Sequence, residues 1–223
     1  MRSPCAHSAP ALITLVIAVS ACASASLSTQ PSKRHNSAAH MTLPPRSVES
    51  PIVLDWVAIP GGRLRLGDTG RAFEADQSPR PTVDIASFWL TRGEISVAEY
   101  ARCVEVGSCL PPSTGEGCNW GRADRADHPI NCVSWWQARR FSRWAGGDLP
   151  SEAEWELAAR SGRLAAPYPW GHTPPNCMYA VMNDGRSGCG RRGTWPRCSR
   201  PQGDSLHGLC DLIGNVQEWT LDE

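Results

Sequence analysis

Apolar and polar positions change in short bursts along this chain, and no single period is held for long. Ile52-Val53-Leu54-Asp55-Trp56-Val57-Ala58-Ile59-Pro60-Gly61-Gly62 reads as a strand running into a tight turn. Arg63-Leu64-Arg65-Leu66-Gly67 then alternates with period two, so the two segments are predicted to form a short hairpin. Residues 81–90 (PTVDIASFWL) form a further strand region. Three helices follow, each announced by its own cap. Ser96 and Glu99 have capping-box spacing, and Ile95 with Tyr100 have the spacing of a hydrophobic staple. That helix should run to about Val106 and stop at Gly107. The second begins at Ser134 with Gln137 as its box partner. It carries Trp135, Ala138, Phe141 and Ala145 along one face and ends at Gly146-Gly147. The third lies in Gly147-Asp148-Leu149-Pro150-Ser151-Glu152-Ala153-Glu154-Trp155-Glu156-Leu157-Ala158-Ala159-Arg160, with Ser151 and Glu154 as its box and Gly162 as its stop. Trp155 and Ala158-Ala159 are its inward candidates. From Tyr168-Pro169-Trp170-Gly171, a rigid turn, the pattern loses its period. Residues 172–205 read as a long structured loop region.

The N-terminus follows different rules. Ala11 to Ala21 is an apolar run too short to span a bilayer but of the length of a signal-peptide core, with Arg2 ahead of it. Val19-Ser20-Ala21-Cys22 resembles the bacterial lipobox, which would make Cys22 the lipidated first residue of the mature chain. The alternative is an ordinary secretory signal cut nearby. Residues 23–50 are rich in Ser, Ala and Pro and read as a flexible tether. The expected organisation is a lipoprotein signal over 1–21, a lipid-anchored linker over 22–50 and one domain over 51–223. The expected location is the bacterial cell envelope, exported and lipid-anchored, facing the periplasm or the surface.

Composition narrows the function. Formal net charge is zero and no long block of like charge occurs, which argues against a nucleic-acid partner. Twenty glycines and nineteen prolines favour many turns and short elements, while ten tryptophans supply apolar area to a loop-rich core. There are ten cysteines. Without Cys5 and Cys22 an even set remains, which suggests up to four disulfides in an oxidising compartment. They fall in two groups, Cys103, Cys109, Cys118, Cys132 and Cys177, Cys189, Cys198, Cys210, and pairing within groups needs only short loops. Spacing alone does not choose among the connectivities. No C-x-x-C or His-x-x-x-His pair occurs, so zinc is disfavoured. No cysteine has the flanking His or clustered basic residues of a reactive thiolate. Glu152, Glu154 and Glu156 could suggest carboxylate catalysis, but their place at a helix start is explained by capping and the helix dipole. His128, His172 and His207 lack partners at ligand or triad spacing and read as ordinary polar residues.

Several blocks occur in one order: Ala58-Ile59-Pro60-Gly61-Gly62, Leu66-Gly67, Phe88-Trp89-Leu90, Gly93-Glu94-Ile95-Ser96-Val97 with Tyr100, and His128-Pro129-Ile130 with Val133-Ser134-Trp135 and Ala138. The Leu149–Arg160 block, Tyr168-Pro169-Trp170-Gly171 and Gly208–Trp219 complete the series. Together, across nearly all of residues 52–223, they resemble the formylglycine-generating enzyme family, also called the sulfatase-modifying factor family. The resemblance implies an α+β, C-type-lectin-like fold with little regular secondary structure, here stapled by disulfides. It implies an oxidase that converts a sulfatase cysteine to formylglycine with molecular oxygen, within a Cys-x-Pro-x-Arg segment. Copper held by two cysteines performs that chemistry, and calcium supports the fold.

The family's redox cysteines follow an Arg-Gly-Gly-Ser-Trp block that itself follows the Gly-Asn-Val-x-Glu-Trp motif. The sequence ends at Glu223, shortly past Trp219, so that segment is not in it. Arg192-Gly193-Thr194-Trp195 with Cys198 imitates the block but precedes the motif, and is a decoy. The expectation is a C-terminally incomplete domain, inactive as an oxidase in this form, with copper only in a longer form that carries the cysteine pair. The alternative is a non-catalytic exported lipoprotein that uses the lectin-like scaffold to bind peptide or glycan. For calcium, the resemblance places the Asp211 side chain, the Gly214 and Val216 carbonyls and the Glu218 carboxylate around an ion; otherwise Asp211 and Glu218 simply bond turn amides. A second family site would use Asn176, the Cys177 carbonyl and Asp184-Gly185, at compressed spacing.

Overall fold

The computed structural model describes residues 13–15, 18–20, 51–67, 81–160, 166–185 and 188–222. Regular structure is sparse and the strands are short. Strands β1 (Ile13–Leu15), β2 (Ala18–Ser20), β3 (Trp56–Ile59), β4 (Gly62–Arg65), β5 (Thr82–Ile85), β6 (Phe88–Thr91) and β7 (Gln217–Trp219) form three small sheets. Helices α1 (Val97–Glu105), α2 (Trp135–Trp144) and α3 (Glu152–Arg160) carry most of the rest.

The predicted pairing of residues 52–59 with residues 63–66 does not form. β3 pairs antiparallel with β6, Ile59 facing Phe88, while β4 pairs with β5, Gly62 facing Ile85. Residues 56–65 are thus one arm of a bent ribbon, and the 81–90 strand region, split at Ala86-Ser87, is the other. The bend is steric. A Cβ on Gly61 would lie 2.4 Å from the Ile85 carbonyl oxygen, and the Gly61 N–H donates to Ser87 Oγ at 3.1 Å. Only glycine lets the two arms turn together at this contact. Of the expected leader, β1 runs parallel to β7 and β2 lies on the free edge of β6. Cys22, the 23–50 tether and the Gly162 stop lie outside the described residues. Among the described residues no helix is long and apolar enough to cross a membrane.

All three helices start where the caps predict. Ser96 and Ser134 each cap the third residue's amide, and the Glu99 and Gln137 side chains return the bond to the cap backbone. Ser151 Oγ accepts from Glu154 N at 3.2 Å, and Glu154 Oε2 accepts from Ser151 N at 2.8 Å. α1 ends at Val106 with Gly107 at φ 73°, and α2 ends at Ala145 with Gly146 at φ 92°. Such positive φ is where glycine stops a helix at least cost.

Two apolar clusters hold these pieces. One packs α1 on α2 through Tyr100, Cys103, Ala138 and Phe141, with the Tyr100 and Phe141 rings stacked at 5.3 Å. The other packs α3, through Leu157 and Ala158, under Ile59, Leu64, Phe88 and Leu90 of the ribbon. Disulfides stitch the irregular remainder. The pairs are Cys103–Cys109, Cys118–Cys132, Cys177–Cys189 and Cys198–Cys210, each cysteine with the next in sequence. Pairing therefore stays within the two expected groups.

Candidate functional site

Beyond β6 the chain turns through Arg92-Gly93-Glu94 before the α1 cap. Glu94 is fully buried, and neither carboxylate oxygen has a partner at hydrogen-bond distance. A bare carboxylate in such a place is costly unless it is neutralised. Its neighbours make the cost worse. Burial, then the nearby Asp211 and Glu218 charges, push the Glu94 carboxyl well above the usual carboxylate range. The Asn215 amide offsets this only in small part.

Asp211 sits in the loop that returns towards β7. It is buried, with φ at 56°, a conformation that aspartate tolerates better than most residues. The Cys198 N–H donates to its Oδ2. Burial raises its carboxyl, and that N–H partly offsets the rise. Glu218 lies on β7 and accepts the indole N–H of Trp155 from α3. Burial raises the Glu218 carboxyl to about 8. The loop between them is fixed tightly. Asn215 N donates to the Val181 carbonyl at 2.8 Å, and the Asn215 side-chain amide both accepts from Trp195 N at 2.9 Å and donates to Trp195 O at 3.2 Å. Gly214, at φ 90°, passes so close to Val181 that a Cβ would meet its carbonyl oxygen at 2.2 Å.

The two carboxylates that the sequence singled out, Asp211 and Glu218, are thus brought near each other. Gly214 and Val216 lie on the loop that joins them. Against the alternative that these acids simply bond turn amides, Asp211 accepts one backbone amide, from Cys198, while Glu218 accepts an indole N–H instead. Glu94 is the residue that sequence reasoning missed as a partner. Asp211 and Glu218 raise Glu94, and Asp211 raises Glu218, whereas the Glu94 side chain lowers Asp211. All three offer the oxygen donors that a hard divalent cation prefers, but their carboxylate oxygens are not all within 4.8 Å of one another. The sulfurs of Cys198 and Cys210 also lie within 4.8 Å of an Asp211 oxygen, but they are joined to each other and offer no thiolate.

Other candidates resolve into structural roles. Glu154 closes the α3 cap. Glu156 accepts Gly67 N at 3.0 and 3.1 Å and pairs with Arg160. Glu152 is exposed. Asn176, Asn183 and Asp184 accept turn amides of Met178, Gly185 and Gly188, at 2.8, 2.9 and 3.0 Å, on an exposed loop. Thr194, within the decoy block, is buried and bonds His128 Nδ1 at 2.8 Å and Asn119 Nδ2 at 2.9 Å. Cys198 in the same block is in a disulfide. His172 is exposed and His207 half-buried.

Beside the acid cluster a cleft of about 500 Å³ opens between Trp135, Trp136, Trp219, Thr220, Glu218 and Asp222. Its aromatic walls are held from behind. Trp135 Nε1 donates to Thr220 O at 2.8 Å, Trp219 Nε1 donates to Val133 O at 3.1 Å, and the Arg139 guanidinium lies 5.0 Å over the Trp135 ring. Trp136 is 73% exposed, a large apolar surface to leave in water.

Fold and site together define a class. The chain belongs to the sulfatase-modifying factor family: the "Sulfatase-modifying factor enzyme 1-like domain" profile matches residues 42–223. It is 31% identical to a formylglycine-generating enzyme of Thermomonospora curvata over 80% of this chain and 74% of that one. Identity to the formylglycine-generating enzyme of Mycobacterium tuberculosis is 32%, over 77% of this chain and 75% of the relative. In three dimensions it resembles the crystal structure of CarF, with a TM-score of 0.57 at 22% identity over 76% of this chain and 80% of that one. That likeness bears out the expected fold, and the four cysteine pairs bear out the disulfide staples.

Proposed function

We propose that residues 51–223 form a calcium-stabilised, substrate-binding domain of this family that does not by itself oxidise cysteine. The observation that carries the reading is the state of the thiols. All eight cysteines among the described residues are consumed in disulfides, so these residues offer no thiolate pair for copper. Copper therefore does not fit the described set, and no step is derived through it. Calcium does fit. Asp211 and Glu218, the Gly214 and Val216 carbonyls, and Glu94 in addition would hold it. A bound ion would supply charge neutralisation and fix the β7 loop, while the residues themselves bring Trp219 and Glu218 to the cleft.

The cleft is proposed to take an extended peptide of the Cys-x-Pro-x-Arg type. Exposed tryptophan faces suit proline and aliphatic stems, and the Asp222 carboxylate suits an arginine head. Cys22 is proposed as a lipid anchor that keeps this cleft at the membrane surface of the cell envelope. Purified chain with copper, oxygen and such a peptide should bind the peptide, quench tryptophan fluorescence, and leave the cysteine unoxidised by mass spectrometry. Aldehyde at the peptide cysteine, formed by these 223 residues, refutes the non-oxidising reading. Absence of binding refutes the peptide reading. An acyl-modified Cys22 peptide in the membrane fraction is the expected mark of the anchor.

A further inference from the structure

We infer that the Cys198–Cys210 disulfide is a positioning element for the cation site, holding the Glu94 turn and the Asp211 loop against each other so that calcium affinity depends on the bond. The inference rests on the calcium reading above and adds to it a dependence on thiol redox state.

The disulfide touches both halves of the acid cluster. On one side, Cys210 directly precedes Asp211, and the Cys198 backbone N–H donates to the Asp211 carboxylate. Asp211 is therefore gripped twice, through the chain from Cys210 and through the hydrogen bond from Cys198. On the other side, the sulfurs rest on Gly93, the residue before Glu94. A Cβ there would stand 2.7 Å from Cys210 Sγ and 3.3 Å from Cys198 Sγ, so the close approach exists only because position 93 is glycine. Cys210 N also donates to Arg92 O at 2.8 Å, which ties the same two segments by backbone. Cys198 and Asp211 both hold positive φ, at 55° and 56°. Neither is glycine, so each pays strain that the surrounding links must hold in place. Freed of the covalent link, both residues can relax towards ordinary φ. The Glu94 turn and the Asp211 loop can then move apart.

The consequence is reciprocal. If the intact bond favours calcium, then bound calcium favours the intact bond by the same factor. Reduction needs an external dithiol. Two thiols supply two electrons and two protons, Cys198 and Cys210 are released as thiols, and the reagent leaves as its disulfide. One face of the bond is approachable, because Cys198 lines a cavity of about 390 Å³ together with Arg92, Gly93, Glu99 and Arg197.

The test uses the full chain and calcium alone as probe, by isothermal titration. The wild type should bind. Cys198→Ala with Cys210→Ala should bind at least about 10-fold more weakly with its near-ultraviolet tryptophan signal retained. Cys103→Ala with Cys109→Ala, which opens a ring at the end of α1, should bind as wild type does. Equal affinity in wild type and the Cys198/Cys210 variant overturns the inference and leaves the site standing. No binding by the wild type overturns both. If the variant does not fold, the unmutated chain decides instead. Calcium must slow dithiol reduction of Cys198–Cys210, followed by trapped thiols in mass spectrometry, and leave Cys103–Cys109 unaffected. An unchanged rate at Cys198–Cys210 overturns the inference.

Discussion

Acid should unfold this domain partly through one histidine. His128 is buried at 3% exposure, between the single helical turn of Ala123–Arg125 and the start of the Pro129–Ile130 segment. Its Nδ1 bonds Thr194 Oγ1, and the Arg125 guanidinium lies 3.1 Å from the same ring nitrogen. Burial first, then the charges of Arg125 and Arg191, lower the imidazole pKa from 6.5 to about 4; Asp124 and Asp127 offset this weakly. The folded state therefore keeps His128 neutral while the unfolded chain takes up a proton below about pH 6.5. Between the two pKa values the unfolded state binds more protons, so stability falls as pH falls. The loss begins near the unfolded value and is complete below the folded one. From about pH 7.5 to about pH 5, linkage through these two values removes about 2 kcal/mol. Carboxylates titrate in the same range, so the quantity to read is a difference. Urea unfolding of the wild type and of His128→Asn, at both pH values, should show the wild type losing about 2 kcal/mol more than the variant. Asparagine keeps a polar group near Thr194 and cannot titrate. Parallel losses in the two proteins refute the assignment.

Four further outcomes follow from the packing and the acid cluster. Phe141→Ala, at a fully buried ring stacked on Tyr100, should cost about 3–5 kcal/mol in denaturant unfolding. Ser96→Ala and Ser134→Ala should each cost about 1 kcal/mol, with the double variant near their sum, because the caps share no partner. Calcium at about 100-fold its Kd should stabilise the domain by about 2.7 kcal/mol in the same unfolding assay, and a chelator should remove the gain. Glu94→Gln should lower calcium affinity while leaving the calcium-free protein about as stable as wild type, since burial already favours the neutral carboxyl and glutamine is its uncharged counterpart.

The sequence carried the helices because their signals are local. A serine, a box partner three residues on and a stopping glycine suffice, and α1 and α2 began and ended where those residues stand. The cysteine groups were legible for a similar reason, since short rings are easy to close. The ribbon was misread because register is a long-range property. Nothing within residues 52–66 states that their partners lie at 82–91, and the deciding contact is between Gly61 and the Ile85 carbonyl. Asp211 and Glu218 could be proposed from the family motif. Glu94 could not be added to them from its place between Gly93 and Ile95. Between Arg92-Gly93 and Ile95-Ser96 it has the sequence context of a solvated turn residue, and only burial and the missing donors distinguish it.

The order of the disulfides has a kinetic side. Among the described residues every pair joins neighbouring cysteines, so these four rings are sequential and never interlock. A chain that is delivered N-terminus first to an oxidant presents Cys103 and Cys109 together, then Cys118 and Cys132, and so on. At each stage the first available partner is the native one. Oxidation in order of arrival therefore writes the correct connectivity, with little need for later reshuffling. Refolding from the fully reduced full-length chain loses that ordering. It should pass through mispaired species that delivery in sequence avoids.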